Sequence, residues 1–160
     1  SAWVHLALHG EVDPYDMYRT CLVLYDDNGA LAEVTLGELL SDRLALAQRG
    51  GVATKVIYLG CCFSGTGAYL PGEGRASLAY AFLSAGVKCV VAASWAAHDE
   101  ASEWIMSRAH ELWRGGSTVA GALTRAQHEL AQDNLPNRLA ALHPEHYGAF
   151  CVYGDGGVTV

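Results

Sequence analysis

Lysine is almost missing from this chain. Its 160 residues hold two, Lys55 and Lys88, within a formal net charge of -7. With so few cations and no basic stripe, little is available to neutralise phosphates, and direct nucleic-acid binding is disfavoured. Long apolar runs are also lacking: none approaches the length of a membrane span, and the first residues do not read as a signal peptide. No CxxC pair occurs, and His143 and His146 have no nearby cysteine, so a zinc site is only weakly signalled and no metal is expected. The cysteines number five, an odd count, and three of them (Cys21, Cys89, Cys151) sit within apolar β-like runs. That pattern suits reduced thiols and a cytoplasmic location better than a disulfide framework.

What the chain does have is apolar residues, 51% of the total against 17% charged, enough for one compact domain over residues 1–160. It begins directly on a β-like run, SAWVHLALHG, so the expectation is a fragment or processed product of a larger protein.

The organising stretch is Lys55 to Gly74, KVIYLGCCFSGTGAYLPGEG. An apolar run, Lys55 to Leu59, breaks at once into a loop with two cysteines and five glycines. A buried strand that ends on a nucleophile among glycines presents that side chain at a sheet edge, open to a substrate carbonyl. Cys62 is the candidate nucleophile; the plain alternative is a buried structural thiol. Cys61 competes, because adjacent strand residues point to opposite faces and spacing alone does not choose between them.

Elsewhere the pattern predicts a strand over Ala2–Leu8 ending at His9-Gly10, then a polar loop over Glu11–Tyr18. A β-hairpin is expected from Cys21–Tyr25 and Ala30–Val34 about Asn28-Gly29. Thr35 with Glu38 matches a capping box for a helix to about Gln48. Further helices are expected over Arg75–Ala85 with Gly86 as its stop, from Asp99 to about Trp113, and from Ser117 to about Gln132. Lys88–Ser94 reads as a strand buried on both faces, and His146–Tyr153 as the last strand. Trp104, Trp113, Phe82 and Phe150 are assigned to the core, and His5 to the core or to support of the site. His98, His110 and His128 read as solvated or capping, and Glu73 as a solvated loop carboxylate.

Alternating strands and helices imply an α/β sandwich with a mostly parallel central sheet flanked by helices. In such sheets ligands sit at the carboxyl ends of the strands. His9, Cys62 and Asp99 each fall just beyond the carboxyl end of a different predicted strand. A histidine near a cysteine raises its thiolate fraction and can later protonate a leaving amine. Gly10 and the Cys62 N–H are the candidate oxyanion donors. The reaction class is cysteine-dependent hydrolysis of an amide, with no organic cofactor.

The segments HLALHG, VIYLGCCFSGTG, GRASLAYAFLSAGVKCVVAASWAAHDE, GGSTVAGALTRAQHEL and HPEHYGAFCVYGD resemble, in order, those of the CHAT domain. That is a bacterial caspase-like family of clan CD cysteine peptidases, often fused to tetratricopeptide repeats. The resemblance spans residues 3 to 155 and implies a caspase-like three-layer sandwich. It implies His9 as catalytic histidine, and through the pattern L-x-x-C-x-[ST]-G it aligns the nucleophile with Cys62 and an alanine position with Cys61. Ala96-Ala97-His98-Asp99-Glu100 stands where Pro-Val-Asp-Asp-Glu is usual, and Tyr147 where tryptophan is frequent. One or two strand–helix units that precede the histidine strand in the family are expected to lie on a missing front segment or another chain.

Asp99 has two readings: a helix N-cap, or a carboxylate in the pocket for the residue before the cleaved bond. Separases, similar in their Trp…Asp loop, use an acidic residue there to hold arginine. The resemblance thus implies a preference for Arg or Lys, with Asp99, Glu100, Cys61 and Trp95 as pocket residues. It also implies a regulated protease that acts on a protein substrate and is governed by a sensor or repeat-domain partner. Against it stands a catalytically idle interaction module in a signalling complex. A flavodoxin-like nucleotide-binding domain is a third reading, but GTG at 65–67 is too short to cradle phosphates.

Overall fold

A computed structural model describes residues 3–11, 13, 15–41, 54–61, 65, 68–70, 74–132 and 143–160. In chain order the elements are β1 (Trp3–Leu6), β2 (His9–Glu11), a 3-10 turn (Met17–Arg19), β3 (Cys21–Tyr25), β4 (Leu31–Thr35) and α1, helical over residues 36–41. Then come β5 (Val56–Leu59), β6 (Ala68–Leu70), β7 (Gly74–Ala76), α2 (Leu78–Ser84) and β8 (Cys89–Ala93). The chain closes with α3 (Asp99–Arg114), α4 (Val119–Gln132), the single turn α5 (Pro144–Tyr147) and β9 (Phe150–Gly154).

The central sheet runs β1-β5-β8-β9, with the first three strands parallel and β9 antiparallel to β8. Every residue of β5 and β8 is buried, as a strand covered on both faces requires. One face (Val56, Tyr58, Cys89, Val91, Ala93) packs on α3 and α4 through Ile105, Ala109, Trp113, Leu123 and Leu130. The other face (Ile57, Leu59, Val90, Ala92) packs on Leu36 of α1, on Leu78 and Ala81 of α2, and on Leu22. The result is a three-layer sandwich with a mostly parallel sheet at its centre.

The hairpin forms as its sequence dictates. The Asp26 N–H donates to Ala30 O at 2.8 Å and the Gly29 N–H to Asp26 O at 2.9 Å, with Gly29 at φ +77. The capping box closes in both directions: the Thr35 N–H donates to Glu38 Oε2 at 2.8 Å, and the Glu38 N–H to Thr35 Oγ1 at 3.2 Å. The far end of that helix, toward Gln48, lies outside the described residues.

Three expectations are corrected. β1 stops at Leu6 rather than running on to His9-Gly10, and Glu11 does not open the loop; His9 to Glu11 form β2, the edge of a second sheet ordered β2-β3-β4. Arg75 and Ala76 are not helical but belong to β7, and α2 starts after Ser77, whose side chain accepts from the Tyr80 N–H. The last strand starts at Phe150 rather than His146, because Pro144–Tyr147 makes a helical turn first. Gly86 does follow α2, at φ +100. Cys21, Cys89 and Cys151 are free thiols.

Candidate functional site

The parallel register decides which residues share one rim of the sheet. Leu6 pairs with Leu59, and Leu59 with Ala92, so β1, β5 and β8 end level. The Gly60 N–H donates to Leu6 O at 2.9 Å, which carries the β1–β5 pairing one step past the strands. His9 stands three residues beyond Leu6, and Cys62 stands three residues beyond Leu59. Cys62 itself lies outside the described residues, as does Glu73.

His9 opens β2 and is exposed. Antiparallel register places it opposite Val23, which in turn opposes Glu33, so the three share the outward face of the small sheet. The alternate row, Gly10, Leu22 and Val34, faces the other way, and Leu22 is buried against α1 and α2. Burial of Leu22 therefore fixes the register that turns His9 outward. On the same outward side an open hollow of about 500 Å³ is lined by Glu11, Asp13, Glu33 and Arg19, together with Tyr15, Cys21 and Thr35.

Cys61 is buried and belongs to the core beside Leu59 and Ala92. With Gly60, Ala93, Ala97, Ser102 and Phe150 it lines a recess that Asp99 also reaches. That recess measures about 10 Å³, room for one water. Asp99 is exposed and is the first residue of α3. The N-cap position belongs to His98, whose side chain makes no capping bond, so the N-cap reading of Asp99 is corrected. Asp99 and Glu100 instead put negative charge in the first turn, where the helix dipole favours it. Glu100 is exposed and outside the recess. Trp95 is half-exposed, and its Nε1–H donates to Glu145 O at 2.5 Å, joining the loop after β8 to α5.

A group of histidines gathers at this rim, and His98 among them is more structured than the solvated or capping role expected of it. The rings of His98 and His146 meet edge-on with centroids 5.5 Å apart, and those of His143 and His146 at 6.0 Å. Glu145 Oε1 lies 3.6 Å from His143 Nδ1 and 3.7 Å from His146 Nε2. Among the described residues, no group of three or more His, Cys, Asp or Glu side chains is arranged to hold a metal ion. His110 sits toward the far end of α3, and its ring and that of His5, one residue short of the end of β1, both pack against Trp3. The sequence signal for the histidine group is H-P-E-H at 143–146, whose proline favours a helix start that brings both imidazoles onto one turn.

The CHAT domain family model matches residues 1–155 of the chain. No curated protein matches it.

Proposed function

Because the chain belongs to the CHAT domain family, which is caspase-like and related to peptidases, we propose that it is a cysteine endopeptidase working through a Cys62–His9 dyad. The observation that carries this reading is the paired offset: the two residues stand equally far past Leu6 and Leu59, which are partners on adjacent parallel strands. His9 takes the thiol proton, and the Cys62 thiolate attacks the scissile carbonyl carbon. The N–H groups of Gly10 and Cys62 receive the developing oxyanion. The proton passes from His9 to the leaving amine, which departs as a thioester remains on Cys62. Water, deprotonated by His9, then releases the acid and restores the thiol.

The substrate of this proposal is a protein with a basic residue before the cleaved bond, held by Asp99. The carboxylates of Glu11, Asp13 and Glu33, against the single Arg19 in the lining of the hollow on the His9 side, support a cationic peptide. A recess that holds one water does not admit a guanidinium. That supports control by a sensor or repeat-domain partner that opens the pocket, in cis or in trans, within the cytoplasm. The same closed recess equally suits an idle interaction module in a signalling or defence complex, which is the second reading.

The test is peptide-library cleavage by the full protein with its natural activator, in wild type and in Cys62→Ala, Cys61→Ala and His9→Ala variants. Loss of cleavage with Cys62→Ala and His9→Ala but not Cys61→Ala is expected. Full activity in Cys62→Ala overturns the nucleophile assignment. No cleavage by activated wild type, with partner binding unaffected by Cys62→Ala, selects the interaction module.

A further inference from the structure

The small sheet has an open backbone edge. Its order is β2-β3-β4, so β4 lies at one side with β3 as its one strand partner among the described residues. Hydrogen bonds at both ends of the ladder fix its phase. The Asp26 N–H donates to Ala30 O at 2.8 Å and the Leu36 N–H to Thr20 O at 2.7 Å, so the positions of β4 bonded to β3 between them are Ala32 and Val34. The backbone groups of Leu31, Glu33 and Thr35 therefore point away from β3. Thr35 shows this directly, since its N–H is taken up by Glu38 in the first turn of α1. Leu31 and Glu33 have no such cover. Among the described residues their N–H and C=O groups meet no partner, and both residues are exposed, Leu31 at 69%.

The side chains beside that edge decide what kind of strand fits it. Leu31 stands opposite the exposed Tyr25, and Glu33 opposite Val23, all on the outward face of the sheet. The hollow lined by Glu11, Asp13, Glu33 and Thr35 opens on the same face, with Arg19 as its single cation. That guanidinium is already engaged, 3.7 Å from Asp13. Cys21 on the floor feels the carboxylates on both sides: burial raises its thiol, and Glu33 and Glu11 raise it further. From His9 to Glu38 the sequence holds seven carboxylates against one guanidinium. That charge disfavours a second copy of this chain as occupant, because two-fold pairing of β4 would bring two acidic faces together.

We propose that the free edge of β4 is a docking site for an extended, basic segment of a partner protein, which joins the small sheet as a strand antiparallel to β4. Its backbone satisfies the Leu31 and Glu33 groups. Register then sets its pattern at every second residue: a cation opposite Thr35 at the mouth of the hollow, a second opposite Glu33, and an apolar side chain opposite Leu31 beside Tyr25. This surface is separate from the Cys62–His9 dyad and does not depend on it.

The test measures binding of the fluorescein-labelled peptide Arg-Thr-Arg-Thr-Leu-Thr to the full chain by fluorescence anisotropy. Saturable binding is expected, about tenfold weaker in Glu33→Lys and weaker again at about 0.5 M salt. The same peptide N-methylated at its second Arg and its Leu keeps every charge but cannot donate to β4, and should bind about tenfold more weakly than the parent. Undiminished binding of the methylated peptide shows a contact made by charge alone and overturns strand addition. Undiminished binding by Glu33→Lys places the peptide away from β4, and absence of saturable binding to wild type removes this occupant; either result overturns the proposal. Self-association of the chain in ultracentrifugation that Glu33→Lys changes and the peptide does not displace assigns the edge to a second copy instead.

Discussion

The imidazoles of His5 on β1 and His110 on α3 lie with ring centroids 5.5 Å apart, each also in contact with the Trp3 indole. Burial lowers the affinity of both for a proton. His110 lowers His5 further, and Arg114 lowers His110, with Glu111 opposing in part. Each therefore binds a proton less readily folded than unfolded, where histidine titrates near 6.5. The stability they allow is complete above that value and is lost as pH falls below it. The thermal midpoint at pH 5.5 should lie about 2–4 °C under that at pH 7.5. Calorimetry on His110→Gln should show a shallower dependence, because one of the two groups that must stay neutral is gone.

Glu129 on α4 behaves in the same sense, in a lower pH window. Arg108 of α3 grips it with Nε at 2.6 Å and a second guanidinium nitrogen at 3.3 Å, and Arg125 adds a bond at 2.8 Å. The Arg108 hydrogen bond is the main cause that pulls its carboxyl down to about 2. Its stabilisation is present above the ordinary carboxylate range and disappears as pH drops toward 2. The network is partly exposed, so screening limits its worth. Glu129→Gln should cost about 1 kcal/mol in urea unfolding at pH 7 and nothing near pH 2.

Tyr58 offers a stabilising change. Its side chain is fully buried on β5 among Trp3, His5 and Phe150, and its hydroxyl has no hydrogen-bond partner among the described residues. A buried hydroxyl left unpaired carries its desolvation cost without return. Tyr58→Phe keeps the ring and removes that oxygen, so unfolding free energy should rise by about 1 kcal/mol. A loss of that size would reveal a water or partner at the hydroxyl.

Gly154 ends β9 at φ +82, and a Cβ there would stand 2.5 Å from Lys88 O and 2.7 Å from Leu83 Cδ2. Backbone strain and the collision with the β8 entrance add together. Gly154→Ala should destabilise by about 2–4 kcal/mol, read as a fall in urea midpoint at constant slope.

The central strands were legible where the pattern is strong. The apolar runs at β5 and β8, the Asn-Gly hairpin and the Thr35–Glu38 box each carry a local cause that the fold does not override. β2 was not legible: His9-Gly10-Glu11 has no strand pattern of its own and pairs only because β3 presents an open edge. β6 and β7 were missed as well: they pair only with each other, Ala68 with Ala76 and Leu70 with Gly74, in a glycine- and proline-rich stretch with no alternating pattern. The start of α2 was placed too early, at Arg75, because Ser77 was not read as its cap. Of the site, the rim positions of His9 and Asp99 could be read from strand ends. The hydrogen bonds of Gly65 with Ala93 and Tyr153 could not, since those partners are 28 and 88 residues away.

The reversed direction of β9 decides what the last quarter of the chain can reach. Because β9 runs antiparallel to β8, Phe150 opposes Ala93, and the strand enters the sheet at the end where its neighbours leave it. A parallel strand in that place would have its approach at the opposite pole, with only its exit near His9. Reversal brings the α5 turn against the loop after β8, where Trp95 meets Glu145 and the Ser94 N–H meets Ala149 O. A partner that pulled on the chain ahead of β9 would therefore move the wall of the rim directly, without having to bend the sheet.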